Sequence, residues 1–137
     1  ITMNIFNIDF TKIQAEKQNV PQGDINVNNG INIEDIAEAK MAVAEGKTAM
    51  NLTFTFKALF QPDIGSVELN GTATLLADDD EATNILEHWE ENESVPQEHG
   101  DQIINALMKK SSVQSILLSR EVGLPSPLPF NFSTSSE

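Results

Sequence analysis

Cysteine is absent from the 137 residues, cations are few, and no apolar run approaches the roughly 18–20 residues of a membrane-spanning helix. Without cysteine there is no disulfide scaffold, no zinc–cysteine site and no thiol nucleophile. Eight Lys and Arg against twenty-one Asp and Glu leave a formal net charge of −13 and a sequence pI near 4.3. Such a field repels phosphate backbones and anionic membrane surfaces, so the expected partners include no nucleic acid and no membrane. The seven glycines, at 23, 30, 46, 65, 71, 100 and 123, stand singly, and none belongs to a phosphate-cradling loop. The opening residues lack the basic, apolar and small-residue sequence of a secretory signal, which sets the expectation of a cytoplasmic protein. At 15.0 kDa the chain is the size of one domain, able to bury about two-thirds of its extended surface without covalent staples. Residues 1–137 are therefore read as a single domain, with 133–137 frayed.

What is present is alternation, then helical spacing. Phe6, Ile8 and Phe10 share one parity against Asn7 and Asp9, which predicts a half-buried strand running on, bent, through Ile13 and Ala15. Ile25, Val27, Ile31 and Ile33 share parity across Asn29-Gly30. That dipeptide suits a type I′ hairpin turn, but the unbroken parity suits one long strand kinked or bulged at the glycine. Residues 34–46 are rich in alanine and charge and read as a helical turn or two, or as a loose connection. Met50, Leu52, Phe54, Phe56, Ala58 and Phe60 give the strongest strand, and Val67, Leu69, Ala73 and Leu75 give its antiparallel partner beyond the Pro62 to Gly65 turn.

From Ala77 the period changes to three and four. Asp78 to Glu81 supply an N-cap and a negative first turn, followed by Ala82, Ile85, Leu86 and Trp89. Ser94 and Gln97 are spaced as a capping box for a second helix, with Pro96 in its first turn. That helix carries Ile103, Ile104, Leu107 and Met108, and either breaks at Ser111-Ser112 or runs on through Val113, Ile116 and Leu117 to a C′ glycine at Gly123. Beyond it, Leu124 to Phe132 contain three prolines and several apolar residues, a strip that completes the core or lines a groove. Strands first and helices last predict an α+β domain, a four-stranded antiparallel sheet with C-terminal helices packed on one face.

No constellation carries catalysis. His88 and His99 have no metal-ligand spacing, and Asp78-Asp79-Asp80 lacks the alternating acids and closing glutamate of a calcium loop, so no metal and no cofactor are expected. The acids Glu87, Glu90, Glu91, Glu93 and Glu98 read as a solvated face, and no nucleophile elbow surrounds the serines from Ser111 to Ser119. The expectation is a protein that is not an enzyme.

The C-terminal motifs resemble those of the SecB export chaperones. The helix end Leu118-Ser119-Arg120-Glu121, the Gly123 stop and the closing Leu128-Pro129-Phe130-Asn131-Phe132 are similar to the family's arginine-bearing last helix and its Pro-x-Asn-Phe strip. The small archaeal SecB-like proteins are nearer still, through Phe56 to Gly65, the tryptophan of Ile85 to Trp89, and Gly123-Leu124-Pro125-Ser126-Pro127. The resemblance spans most of residues 4–132. The Tyr-Ala-Arg that opens the last helix of bacterial members has no counterpart here, nor do their paired glycines between helices.

The resemblance implies a SecB-like fold and a holdase without cofactor, binding unfolded or partly folded polypeptides in apolar grooves. Leu124, Leu128, Phe130 and Phe132 are the groove candidates. A protein that reuses the fold for one specific partner, or for regulation, is the alternative. Trp89, Leu107, Ile116 and Leu117 give the helices a wider apolar arc than one stripe needs, which predicts a homodimer or a dimer of dimers.

Overall fold

The computed structural model describes residues 3–20 and 23–125. Four strands, β1 (Asn4–Lys17), β2 (Asn26–Glu38), β3 (Lys47–Gln61) and β4 (Gly65–Asp78), precede two helices, α1 (Asp79–Asn92) and α2 (Gln97–Glu121). The strands form one antiparallel sheet in the order β1-β4-β3-β2, with both helices on a single face. The expected α+β architecture is the observed one. The chain crosses from one sheet edge to the other between β1 and β2, and Gln18 and Asn19 donate backbone N–H groups to the Ile64 carbonyl at 2.8 and 3.2 Å. That pins the crossover to the β3–β4 turn.

The inner face follows the expected parity on the central strands. Every second residue of β3 from Met50 to Phe60 is buried, and Val67, Leu69, Ala73, Leu75 and Ala77 of β4 lie opposite. The edge strands depart from simple alternation because each is bulged. Asn7 takes a left-handed φ of 53°, a conformation asparagine tolerates better than most residues, and the register shifts between Phe6 and Asp9. Ile5 therefore pairs with Leu75 and joins the core, while Phe6 pairs with Thr74 on the outer face. The expectation that Phe6 shares a side with Ile8 and Phe10 is corrected by this one inserted residue. A second shift between Phe10 and Lys12 restores the parity of Ala15.

β2 is one strand, not a hairpin, and its bulge lies between Ile33 and Asp35 rather than at Gly30. Of residues 34–46, expected as a helical turn or two or a loose connection, Asp35 to Glu38 pair with Thr53 to Met50 on β3. Glu34 is the extra residue that hid the strand: it moves the inward position from Ile33 to Ile36, so the alternation breaks in the sequence and survives in space.

α1 opens with Asp79, Asp80 and Glu81, the negative first turn a helix N-terminus favours. Asp78 occupies the N-cap position without a side-chain cap bond; its carboxylate pairs with Lys47 Nζ at 2.6 Å, and the Asp79 N–H is taken by the Gly46 carbonyl at 3.0 Å. The expected capping box at Ser94 does not form either. Pro96 is the N-cap of α2, and its carbonyl accepts from His99 and Gly100, both at 2.9 Å.

α2 runs unbroken through the serines because Ser111, Ser115 and Ser119 extend the fully buried Ile103–Leu107 row at steps of four. At its end Gly123, φ 77°, completes a Schellman motif. Leu124 N–H bonds Ser119 O at 2.7 Å and Gly123 N–H bonds Arg120 O at 3.2 Å. The core has two parts. Met50, Leu52, Phe54, Leu75, Ile85 and Ile103 centre one; Phe56, Phe60, Ile64, Val67, Leu69 and Leu124 centre the other. Phe10 touches both.

Candidate polypeptide-binding groove

The edge strand β2 and the two helices leave a cleft between them, and Trp89 stands in its middle. Helical spacing places Trp89 on the side of α1 that carries Ile85 and Leu86, where it packs against the first part of the core and is half-buried. On one side of it a depression of about 390 Å³ is lined by Ile36, Leu86, Asp35, Glu90 and Glu93. On the other, about 230 Å³ lies between Ile33, Val95, Ile104 and Gly100. Trp89 and Glu93 border both, which makes the two depressions one groove with the indole as its partition.

The bulge at Glu34 builds the floor. By moving the inward register within two residues, it directs Ile33 and Ile36 to opposite sides of the indole while Asp35 stays at the rim. The connection between the helices forms the far end. There His88 Nδ1–H donates to the Ser94 carbonyl at 2.9 Å, holding that connection against α1. The groove thus brings the apolar side chains of Ile33, Ile36, Leu86 and Val95 together with polar surface, an aromatic partition, and a rim of three carboxylates. Its other wall is the edge of β2, which among the described residues pairs with β3 on one side only. It can hold an extended segment by apolar contact and by main-chain pairing, and its rim attracts positive charge.

The residues singled out from sequence are dispersed. Trp89 sits in this groove. Leu107 is fully buried inside its own chain, Ile116 is half-buried, and Leu117 is 51% exposed on the outward side of α2. Leu124 is buried in the second part of the core, its methyl groups 3.0 and 3.2 Å from where a side chain at Gly65 would begin. Leu128, Phe130 and Phe132 lie outside the described residues. Sequence reasoning missed Ile33, Ile36, Val95, Asp35 and Glu93 as a set, although the apolar pair flanking Glu34-Asp35 was a usable sign. Among the described residues no group of three or more His, Asp or Glu is placed to hold a metal ion.

No protein-family model and no curated protein matches the sequence. Eight chains of solved structures match it. One is the Mycobacterium tuberculosis SecB-like chaperone Rv1957 in complex with a ChAD peptide from the Rv1956 HigA1 antitoxin, with 12% identity, a TM-score of 0.52, and coverage of 90% of this chain and 86% of that one. At that identity the likeness is one of architecture: four antiparallel strands followed by two helices on one face, the fold of the SecB-like chaperones.

Proposed function

We propose that the protein is a holdase: it binds unfolded or partly folded polypeptides in the Trp89 groove and keeps them from aggregating, without chemistry. The observation that carries this reading is the groove itself, lined by apolar side chains, acidic at its rim and bordered by a strand edge that pairs with no further strand among the described residues. Apolar and main-chain contacts tolerate varied sequences, and the three rim carboxylates favour segments in which apolar residues are flanked by Lys or Arg. The fold supports the reading, and the peptide bound by the mycobacterial structure is in keeping with it. We further propose a likeness to the small archaeal SecB-like proteins, supported by the sequence segments Phe56 to Gly65, Ile85 to Trp89 and Gly123 to Pro127.

Trp89 is the sole tryptophan, so its emission reports occupancy directly. A reduced, unfolded client should shift that emission in a saturable way and should aggregate less in the presence of equimolar protein. Unchanged aggregation together with unchanged emission would remove the chaperone reading.

Assembly belongs to the same proposal. With β2 serving the groove, a homodimer forms through the edge of β1, where Lys12 to Lys17 pair regularly beyond the bulges, and a dimer of dimers builds on it. A second functional reading, one dedicated partner in place of many clients, is favoured by the single defined peptide in the mycobacterial complex. Recovery of one stoichiometric protein from the native host, against a diffuse set, decides between them.

A further inference from the structure

The two walls of the Trp89 groove run in opposite chain directions and converge on one loop. Along β2 the lining advances from Ile33 to Asp35, Ile36 and Ala37; along α1 it recedes from Glu93 and Trp89 to Glu90 and Leu86. Continued in those directions, the first wall leaves β2 at Glu38 and the second reaches the start of α1 at Asp79. Residues 39–46 join the two places. At one root Ala39 N–H bonds the Ala49 carbonyl at 2.8 Å. At the other the Gly46 carbonyl accepts from Asp79 N–H at 3.0 Å, and Lys47 N–H bonds the Ala44 carbonyl at 3.2 Å. The loop is thus an end wall of the groove, on the Ile36 and Leu86 side of the indole.

Its composition is not that of an ordinary turn. From Ala39 to Glu45 there is no Gly, Pro, Asn, Asp or Ser, the residues that turn chemistry favours. Met41 is 48% exposed and Val43 36%, set among Ala39, Ala42 and Ala44, with Lys40 as the one cation. Glu38 and Glu45 flank this apolar stretch, both exposed, and repeat the chemistry of the rim at Asp35, Glu90 and Glu93.

We propose that residues 39–45 form a third subsite of the groove, which receives the end of an extended apolar client segment after it has passed Trp89. The inference rests on the holdase reading and adds to it the length of segment that is recognised. Ile33 to Ala37 span about 13 Å at roughly 3.3 Å per residue, room for four or five client residues. Continuing to Met41 brings the span to at most about 26 Å, or roughly eight or nine residues. The flexible thioether of Met41 adapts to varied side chains, and the alanines around it let a client backbone approach closely. Glu38 and Glu45 favour Lys or Arg at the flank of the bound segment, as the rim does. The same charges oppose a second copy of the loop as occupant, since it would bring Glu38 and Glu45 against their own counterparts.

The test uses the full chain and two tryptophan-free peptides with lysine at both ends, one with five and one with nine alternating leucine and serine residues between them. Binding is read from Trp89 emission. The longer segment should bind about tenfold more tightly than the shorter, through the apolar contact it gains at the loop. Met41→Ser with Val43→Ser should remove most of that gain and leave the shorter peptide unaffected, at an unchanged urea midpoint because both side chains are exposed. A photoreactive leucine analogue, placed at each end of the longer peptide in turn, should label residues 39–45 from at least one end. Equal affinity of the two peptides, an unaltered affinity of the longer one for the double variant, or labelling confined to the residues around Trp89 overturns the subsite and leaves the groove standing. Unchanged Trp89 emission with both peptides removes the holdase reading, and the subsite with it.

Discussion

The ring of Phe54 occupies the space a side chain at Gly71 would fill. A Cβ built on Gly71 would lie 2.7 Å from Phe54 Cζ and 2.6 Å from the Asp9 carbonyl oxygen. Gly71 is paired with Phe54 on β3 and with Phe10 on β1, and the two rings meet edge to face across it at 6.3 Å. The absent side chain is thus what lets two aromatics share the centre of the sheet. Gly71→Ala should destabilise the fold by about 1–3 kcal/mol, the usual cost of overpacking a core, read as a lower urea midpoint at unchanged slope. Combined with Phe54→Leu, the loss should be less than the sum of the two single changes, because the shorter leucine leaves room for the new Cβ that the phenylalanine ring would meet.

Ser111, Ser115 and Ser119 are fully buried, and among the described residues none of their hydroxyls has a hydrogen-bond partner. A buried hydroxyl without a partner carries its desolvation cost uncompensated, and alanine is the better helix former. Each serine-to-alanine change should therefore stabilise the protein, by about 0.5–1.5 kcal/mol, with thermal unfolding as the measurement. A loss of stability at all three would mean that the hydroxyls are paired through water.

Deleting Glu34 should be tolerated. The residues on either side of it already keep the ladder, Ile33 opposite Phe54 and Asp35 opposite Thr53, so removal closes the bulge without turning Ile36 outward. Stability should stay within about 1 kcal/mol of the parent, while β2 straightens beside Trp89 and the groove changes shape. Client binding measured by Trp89 emission should fall severalfold. Unfolding of the deletion variant would show that the strand cannot be straightened.

Assembly should strengthen with ionic strength. Each subunit carries −13, and this repulsion is screened to about 8 Å at physiological salt, so dimer formation through a sheet edge gains from salt where an ion-paired interface would lose. Light scattering at low and high salt, at tens of micromolar protein, distinguishes the two; a strict monomer at both removes the dimer.

The central strands were legible because nothing interrupts their parity: Met50 to Phe60 and Val67 to Leu75 read the same in sequence and in space. The edges were not, because a bulge inserts one residue and inverts the parity after it. Asn7 misled the reading of Phe6, and Glu34 disguised Asp35 to Glu38 as something other than strand. The helix ends show a related limit. Gly123 could be placed from the C′ preference alone, whereas Asp78 was committed to Lys47, a partner distant in sequence that no local pattern reveals. The groove inherits the same difficulty, since its floor depends on the bulge and its partition on where α1 comes to lie. Trp89 was visible as a subunit-interface candidate; that it lines a groove beside β2 was not.

The order β1-β4-β3-β2 sets a schedule for the chain as it is synthesised. The pairing partner of Ile5 lies on β4, the strand that contains Leu75, so of the four strands of this sheet the earliest made is the last able to pair. β2, β3 and β4 can assemble by neighbouring hairpins while Ile5, Ile8 and Phe10 wait uncovered. During that interval β1 is an extended, apolar segment with no partner strand, and contacts between nascent copies are the ones it is most exposed to.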